Sequence, residues 1–276
     1  MPRQFSGSSI TVSFSASRTL IPGWMAQHIA STSGVSGIDV DATSPLSAWL
    51  AARNGSRPAT YLPIRSIWLP MHGLRASRAQ RLIDELVDPT QSDPPLIVTV
   101  MPASASLRTL SRELEPARAL AEVWPLALGL PPSSLRGGRP HLVYLGGLRR
   151  FAEEWNFSIA VDLSRSFDPT WEAEAAIARL GERLSVLRIR SSAPTRSAIG
   201  QDRVACRAIH AAIDRGRLVD FAICPKRPLL LPVTPHATVT AARQAASYIN
   251  ERAAIHAEAL REGIDHFEGS HSPRGT

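Results

Sequence analysis

Cysteine, lysine and long apolar runs are what this 276-residue chain has least of. Its two cysteines, Cys206 and Cys224, form no CxxC pair, which excludes a disulfide-stapled scaffold, a zinc ribbon and a thioredoxin-type redox centre. Both are expected to be reduced thiols. No apolar run reaches the roughly 18 residues that span a bilayer, and Met1–Ser9 lacks the apolar core of a signal peptide. The expectation is a cytoplasmic protein with no membrane partner. A glycine-rich nucleotide fingerprint, an HExxH helix and a G-x-S-x-G elbow are also missing, so no cofactor is expected.

What the chain does have is alternation. Short apolar or alternating runs at Ile10–Ser15, Gly37–Ala42, Ser66–Met71, Leu96–Met101, Leu126–Leu130, Ser158–Leu163, Ser185–Arg190 and Leu218–Cys224 are bounded by Gly, Pro or Ser and read as strands. Helical spacing separates them. Asp168 and Pro169 offer an N-cap and a first-turn proline to a segment with Ala173, Ala176, Ile177, Leu180 and Leu184 on one face. Leu145, Leu148, Ala152 and Trp155 repeat the pattern before the sixth strand, and Val239 to Leu260 makes a long closing helix. Near Pro45 to Arg53 a second helix is cut short by Asn54, Gly55 and Pro58. Eight strand–helix units are the number that closes a parallel (β/α)8 barrel, and about 250 residues suffice for one. A single barrel over residues 1–263 with a flexible tail over 264–276 is expected, and 44% hydrophobic residues supply its core.

The formal charge of +7 raises the question of nucleic acid. Of the 31 basic residues only Lys226 is a lysine, and the arginines are scattered beside Glu and Asp, as at Arg149, Arg150, Glu153 and Glu154. A solvated outer face accounts for that distribution, so no specific nucleic-acid partner is expected.

In a parallel barrel the βα loops at the carboxyl ends of the strands build the pocket. Those ends bring forward Ser15 and Ser17, Asp39 and Asp41, His72, Met101, Gly129, Asp162 with Arg165, Arg188 with Arg190, and Cys224 with Lys226. Asp162 sits in the apolar run Ile159–Leu163, where a carboxylate must be paired or functional. Asp39, by contrast, serves equally as an arginine partner, and His72 as a loop histidine.

The phrases Asp162-Leu163-Ser164-Arg165, Leu180-Gly181-Glu182-Arg183-Leu184 and Leu187-Arg188-Ile189-Arg190-Ser191 resemble the sixth strand, following helix and seventh strand of the xylose isomerase-like barrels. That family contains sugar and sugar-phosphate isomerases and epimerases together with endonuclease IV-type enzymes. The resemblance covers about forty residues of phrase and the barrel architecture. It implies a divalent metal held from the ends of strands five to eight, at places that fall here on Gly129, Asp162, Arg188 and Cys224. Arginine stands where the family has histidine, and a guanidinium offers no lone pair, so no metal is expected.

Three readings follow. In the first, a metal-independent sugar isomerase- or epimerase-like enzyme, Arg188 stabilises an enediolate while Asp162, His72 or Asp39 moves the proton. A non-catalytic binding or scaffolding pseudoenzyme is the second. There Arg165, Arg188, Arg190 and Lys226 hold a small anionic ligand, unless Arg188 and Arg190 are instead paired with Asp162 and Asp39. The third is Schiff-base chemistry at Lys226. An oligomeric state is not assigned by the sequence.

Overall fold

A computed structural model describes residues 11–15, 28, 30–41, 62–70, 76–86, 97–102, 107–130, 142–162, 177, 179–190, 209–213, 220–224 and 235–269. Eight strands form the wall: β1 Thr11–Ser15, β2 Gly37–Asp41, β3 Ile64–Pro70, β4 Ile97–Met101, β5 Leu126–Gly129, β6 Ser158–Asp162, β7 Leu184–Arg190 and β8 Asp220–Cys224. Each pairs in parallel with the next, and β1 also pairs with β8, so the sheet closes in sequence order. This is the (β/α)8 barrel that the alternation predicts.

Among the described helices, α1 spans Ala76–Leu86, α2 Leu107–Leu114, α3 Arg118–Ala121, α4 Leu142–Glu154 and α5 Pro235–Gly269. Further helical residues lie at 30–33, 179–180 and 209–213. The closing helix, expected over Val239 to Leu260, runs from Pro235 to Gly269. The helix expected over 45–53 and the cap at Asp168 and Pro169 lie outside the described residues.

Strand alternation divides the buried residues into two sets. Val40, Leu69, Val98, Leu128, Val161, Leu187 and Ile223 point outward against Ala79, Ile83, Leu110, Leu145, Leu148, Ala245 and Ile249 of the helices, making the main core. Each such Leu or Ile side chain contributes about 1.5–3 kcal/mol relative to exposure. Inside the barrel a smaller apolar cluster gathers Trp68, Ile97, Met101, Ala127, Ala160 and Val186. Among the described residues, the buried Ser13, Asp39, Ser66, Thr99, Asp162, Arg188 and Asp220 lie on the strands beside it.

Two chain reversals need a left-handed residue. Asn156, at φ 55, follows α4, and beyond it the Phe157 amide donates to the Ala152 carbonyl at 2.8 Å. Gly34, at φ 74, closes the helical residues 30–33 in the same way and turns the chain toward β2.

Candidate active site

The barrel interior carries a polar chain that starts at the first residue of β8 and ends at the last residue of β6. Asp220 is fully buried; its Oδ1 accepts hydrogen bonds from Thr11 Oγ1 at 2.8 Å and Ser13 Oγ at 2.8 Å. Its Oδ2 lies 3.4 Å from Ser66 Oγ, and the same serine donates a short hydrogen bond to Asp39 Oδ1. The other oxygen of Asp39 accepts from Arg188 Nε at 2.7 Å. Beyond that, Arg188 Nη1 is 4.0 Å from Asp162 Oδ2. Both partners of the Arg188–Asp39 pair are 0% exposed, whereas Asp162 is 6% exposed.

Local features aim these groups. β3 and β7 each carry a bulge, Arg65 being passed over between the Ile38–Ile64 and Asp39–Ser66 pairs and Ser185 between the Ile159–Leu184 and Ala160–Val186 pairs, and such bulges re-aim the side chains that follow. Ser66 follows the first directly, and Arg188 lies three residues past the second. On β7, alternation puts Val186 and Arg188 inside. The Arg188 guanidinium lies 3.8 Å from the centroid of the Trp68 ring, so one face meets an indole while its edge meets a carboxylate. Trp68 and Arg188 are the two largest fully buried side chains described.

Burial, with the charge of Asp39 adding to it, pushes the Asp220 carboxyl up to about 7 from an ordinary 3.8. Hydrogen bonds from Thr11, Ser13 and Ser66 oppose the rise without cancelling it.

Of the residues singled out from the sequence, Asp39, Asp162 and Arg188 are brought together. Arg188 is not a free cation at an open mouth: it is enclosed and tied to Asp39, the internal pairing weighed against the ligand reading. Arg190 closes β7, two residues beyond, but its side chain lies outside the described residues, as do His72, Arg165 and Lys226. Asp220, Ser66, Ser13, Thr11 and Trp68 were not anticipated. The clue to Asp220 was the one used for Asp162, an acidic residue in the apolar strand run Leu218–Cys224.

Two of the four strand-end places offer a divalent cation no donor. Gly129 has no donor, and a Cβ there would come within 2.9 Å of Met101 Cγ and 3.1 Å of Thr99 Cγ2, so a longer ligand side chain would displace its neighbours. Arg188 has no lone pair to give. Among the described residues no group of three or more His, Cys, Asp or Glu is arranged to hold a metal ion.

No protein-family model matches the chain, and comparison with curated protein sequences finds no match. Solved structures do match. An L-ribulose 3-epimerase superposes with a TM-score of 0.55 at 14% identity, over 96% of this chain and 100% of that one. Endonuclease IV from Thermus thermophilus gives 0.52 at 14% identity, over 87% and 99%. D-psicose 3-epimerase with D-tagatose, from Clostridium cellulolyticum, gives 0.50 at 11% identity, over 92% and 99%. The chain has the xylose isomerase-like barrel fold.

Proposed function

We propose that the chain is a divergent sugar isomerase- or epimerase-like barrel that takes a small anionic sugar-type ligand at its carboxyl mouth without a divalent metal. The observation that carries this reading is Arg188. At a strand end where the resembling family places a metal ligand, a guanidinium is held by Asp39 at 2.7 Å and lies over the Trp68 ring, a fixed positive charge in a buried interior. Asp162, the least buried carboxylate of the chain of contacts, stands 4.0 Å away at the end of β6. In the catalytic form of the reading, the Asp162 carboxylate takes the proton from a carbon beside the substrate carbonyl. Arg188 stabilises the enediolate, and the proton returns to the same or the neighbouring carbon. Arg165, Arg190 and Lys226 would supply charge to the ligand from the loops and strand end. His72 would be a second proton carrier.

A second reading, a non-catalytic binder, is favoured by the enclosure of Arg188, whose Nε is already committed to Asp39. One experiment separates the two. Incubating the protein with a panel of ketoses and ketose phosphates in deuterium oxide should place deuterium on the carbon beside the carbonyl, and Asp162→Asn should abolish it. Calorimetric binding of a sugar phosphate with no exchange would make the protein a binder. No binding and no exchange would sink the anionic-sugar reading in both forms. Elemental analysis should find no stoichiometric divalent metal that survives dialysis. Near-equimolar zinc, manganese or magnesium lost on Asp162→Ala would overturn metal independence.

A further inference from the structure

Asp220 is a buried carboxyl that the proton transfer above does not use, and its neighbours dictate which form it takes. A serine hydroxyl has one proton and two lone pairs. Ser66 stands between two carboxyls, close to Asp39 Oδ1 and 3.4 Å from Asp220 Oδ2, and can donate to only one of them. The nearer, ion-paired Asp39 takes that proton. Toward Asp220, Ser66 then presents a lone pair. An ionised Asp220 would oppose it with another lone pair, whereas a protonated Asp220 supplies the missing donor. On its other oxygen, Asp220 already accepts from Thr11 and Ser13, so a proton on Oδ2 satisfies both ends of the carboxyl.

We propose that Asp220 is carried as the neutral acid and acts as a positioning residue for Arg188. Asp220 donates to Ser66, Ser66 donates to Asp39, and Arg188 donates to the far oxygen of Asp39. One proton at the start of β8 thereby seats the guanidinium near the end of β7, across strands β1, β2 and β3. Burial, which pushes the Asp220 carboxyl up to about 7, works in the same direction. Among the described residues, the charged groups that face this interior are Asp39 from β2, Asp162 from β6 and Arg188 from β7; β1 and β3 contribute the hydroxyls of Thr11, Ser13 and Ser66. With Asp220 neutral, two carboxylates surround one guanidinium. Loss of the proton adds a third negative charge in a region of low dielectric, where it is poorly tolerated.

The sign of the pH effect follows. The folded carboxyl binds its proton more tightly than the unfolded one, so its stabilising contribution is complete below about pH 4 and is lost as pH rises toward 7. Protonation does not depend on any ligand; its coupling to ligand affinity rests on the anionic-ligand reading above.

Equilibrium urea unfolding of the whole protein between pH 5 and 8 tests the proton. Relative to Asp220→Asn, which keeps the size and hydrogen bonds but cannot ionise, the unfolding constant of the parent should rise by about tenfold per pH unit from pH 5 to 7. The variant should be the more stable of the two at pH 8. Infrared spectra at pH 6 should show a protonated-carboxyl band in the parent that the variant lacks. Parallel pH profiles, or no such band in the parent, overturn the proposal. If the variant does not fold, the parent's band and its disappearance near pH 7 decide alone. D-gluconate, which does not titrate in this range, tests the coupling by calorimetry: the parent should bind it more weakly at pH 8 than at pH 6, and the variant equally at both. Absence of gluconate binding counts against the anionic-ligand reading, whereas an unchanged unfolding profile counts against the Asp220 proton.

Discussion

Arg188 and Asp39 illustrate how differently two ion pairs of nearly the same length behave. The Arg188–Asp39 contact is 2.7 Å and fully buried; Arg149 and Glu153 meet at 2.8 Å on an exposed face of α4. In the interior each charge has lost its water, and removing one partner strands the other. Asp39→Ala should therefore cost about 3–5 kcal/mol in urea unfolding. Glu153→Ala should cost about 0.5 kcal/mol or less, because water replaces the lost partner. Equal losses would mean that Arg188 finds compensation elsewhere. At Gly129 the same logic of space applies. Gly129→Glu restores a carboxylate to a place where the resembling family has one, but Met101 and Thr99 already fill the volume its Cβ would need. The expected result is a loss of about 1–3 kcal/mol with no gain in zinc affinity in a dialysis titration.

The turn from α4 into β6 controls how a strand that carries Asp162 enters the barrel. Leu145, Leu148 and Ala152 bury one face of the helix, and beyond it Phe151 stacks on Trp155 with ring centroids 4.9 Å apart while Phe157 meets Trp155 edge-on at 5.9 Å. Arg118 from α3 lies 4.3 Å from the centre of the Trp155 ring and closes the cluster from outside. Asn156 makes the reversal at positive φ, a conformation that costs an ordinary L-residue about 1 kcal/mol. Asn156→Ala should lower stability by about that amount, and Asn156→Gly should be neutral or slightly stabilising. Thermal unfolding of the two variants side by side checks it; equal losses would show that the Asn side chain, and not its backbone angle, matters. The helix α5 behaves differently along its length. Its first half buries Ala242, Ala245, Ala246 and Ile249, while Ile255 and Leu260 further on are exposed.

For the molecule as a whole, charge total and charge arrangement have to be separated. The formal +7 would attract any polyanion. Yet the most enclosed cation described, Arg188, faces the interior, and Arg149 is paired with Glu153 on its own helix. Duplex DNA should bind weakly, with a dissociation constant on the order of 10⁻⁴–10⁻⁶ M at physiological salt, and the affinity should collapse as salt rises. Titrations at two salt concentrations measure it. Tight binding selective for abasic or nicked duplex would favour an endonuclease-like activity over the sugar reading.

The eight strands were legible because a strand is a local object. Its apolar alternation and its Gly, Pro and Ser borders lie within a few residues of one another, and each predicted strand falls within two residues of the observed bounds. Asp162 was legible on the same ground, as a carboxylate inside an apolar run. Which inward-facing groups meet was decided only by closure of the sheet. Arg188 and Asp39 are 149 residues apart in sequence, and Ser13 and Asp220 are 207 apart. The bulges at Arg65 on β3 and Ser185 on β7 move inward side chains along the barrel axis, and no residue pattern announces them. Alternation could say that Arg188 points inward. That it meets a carboxylate there, over an indole and fully buried, depends on the stagger of all eight strands together, because stagger sets which inner residues share a level.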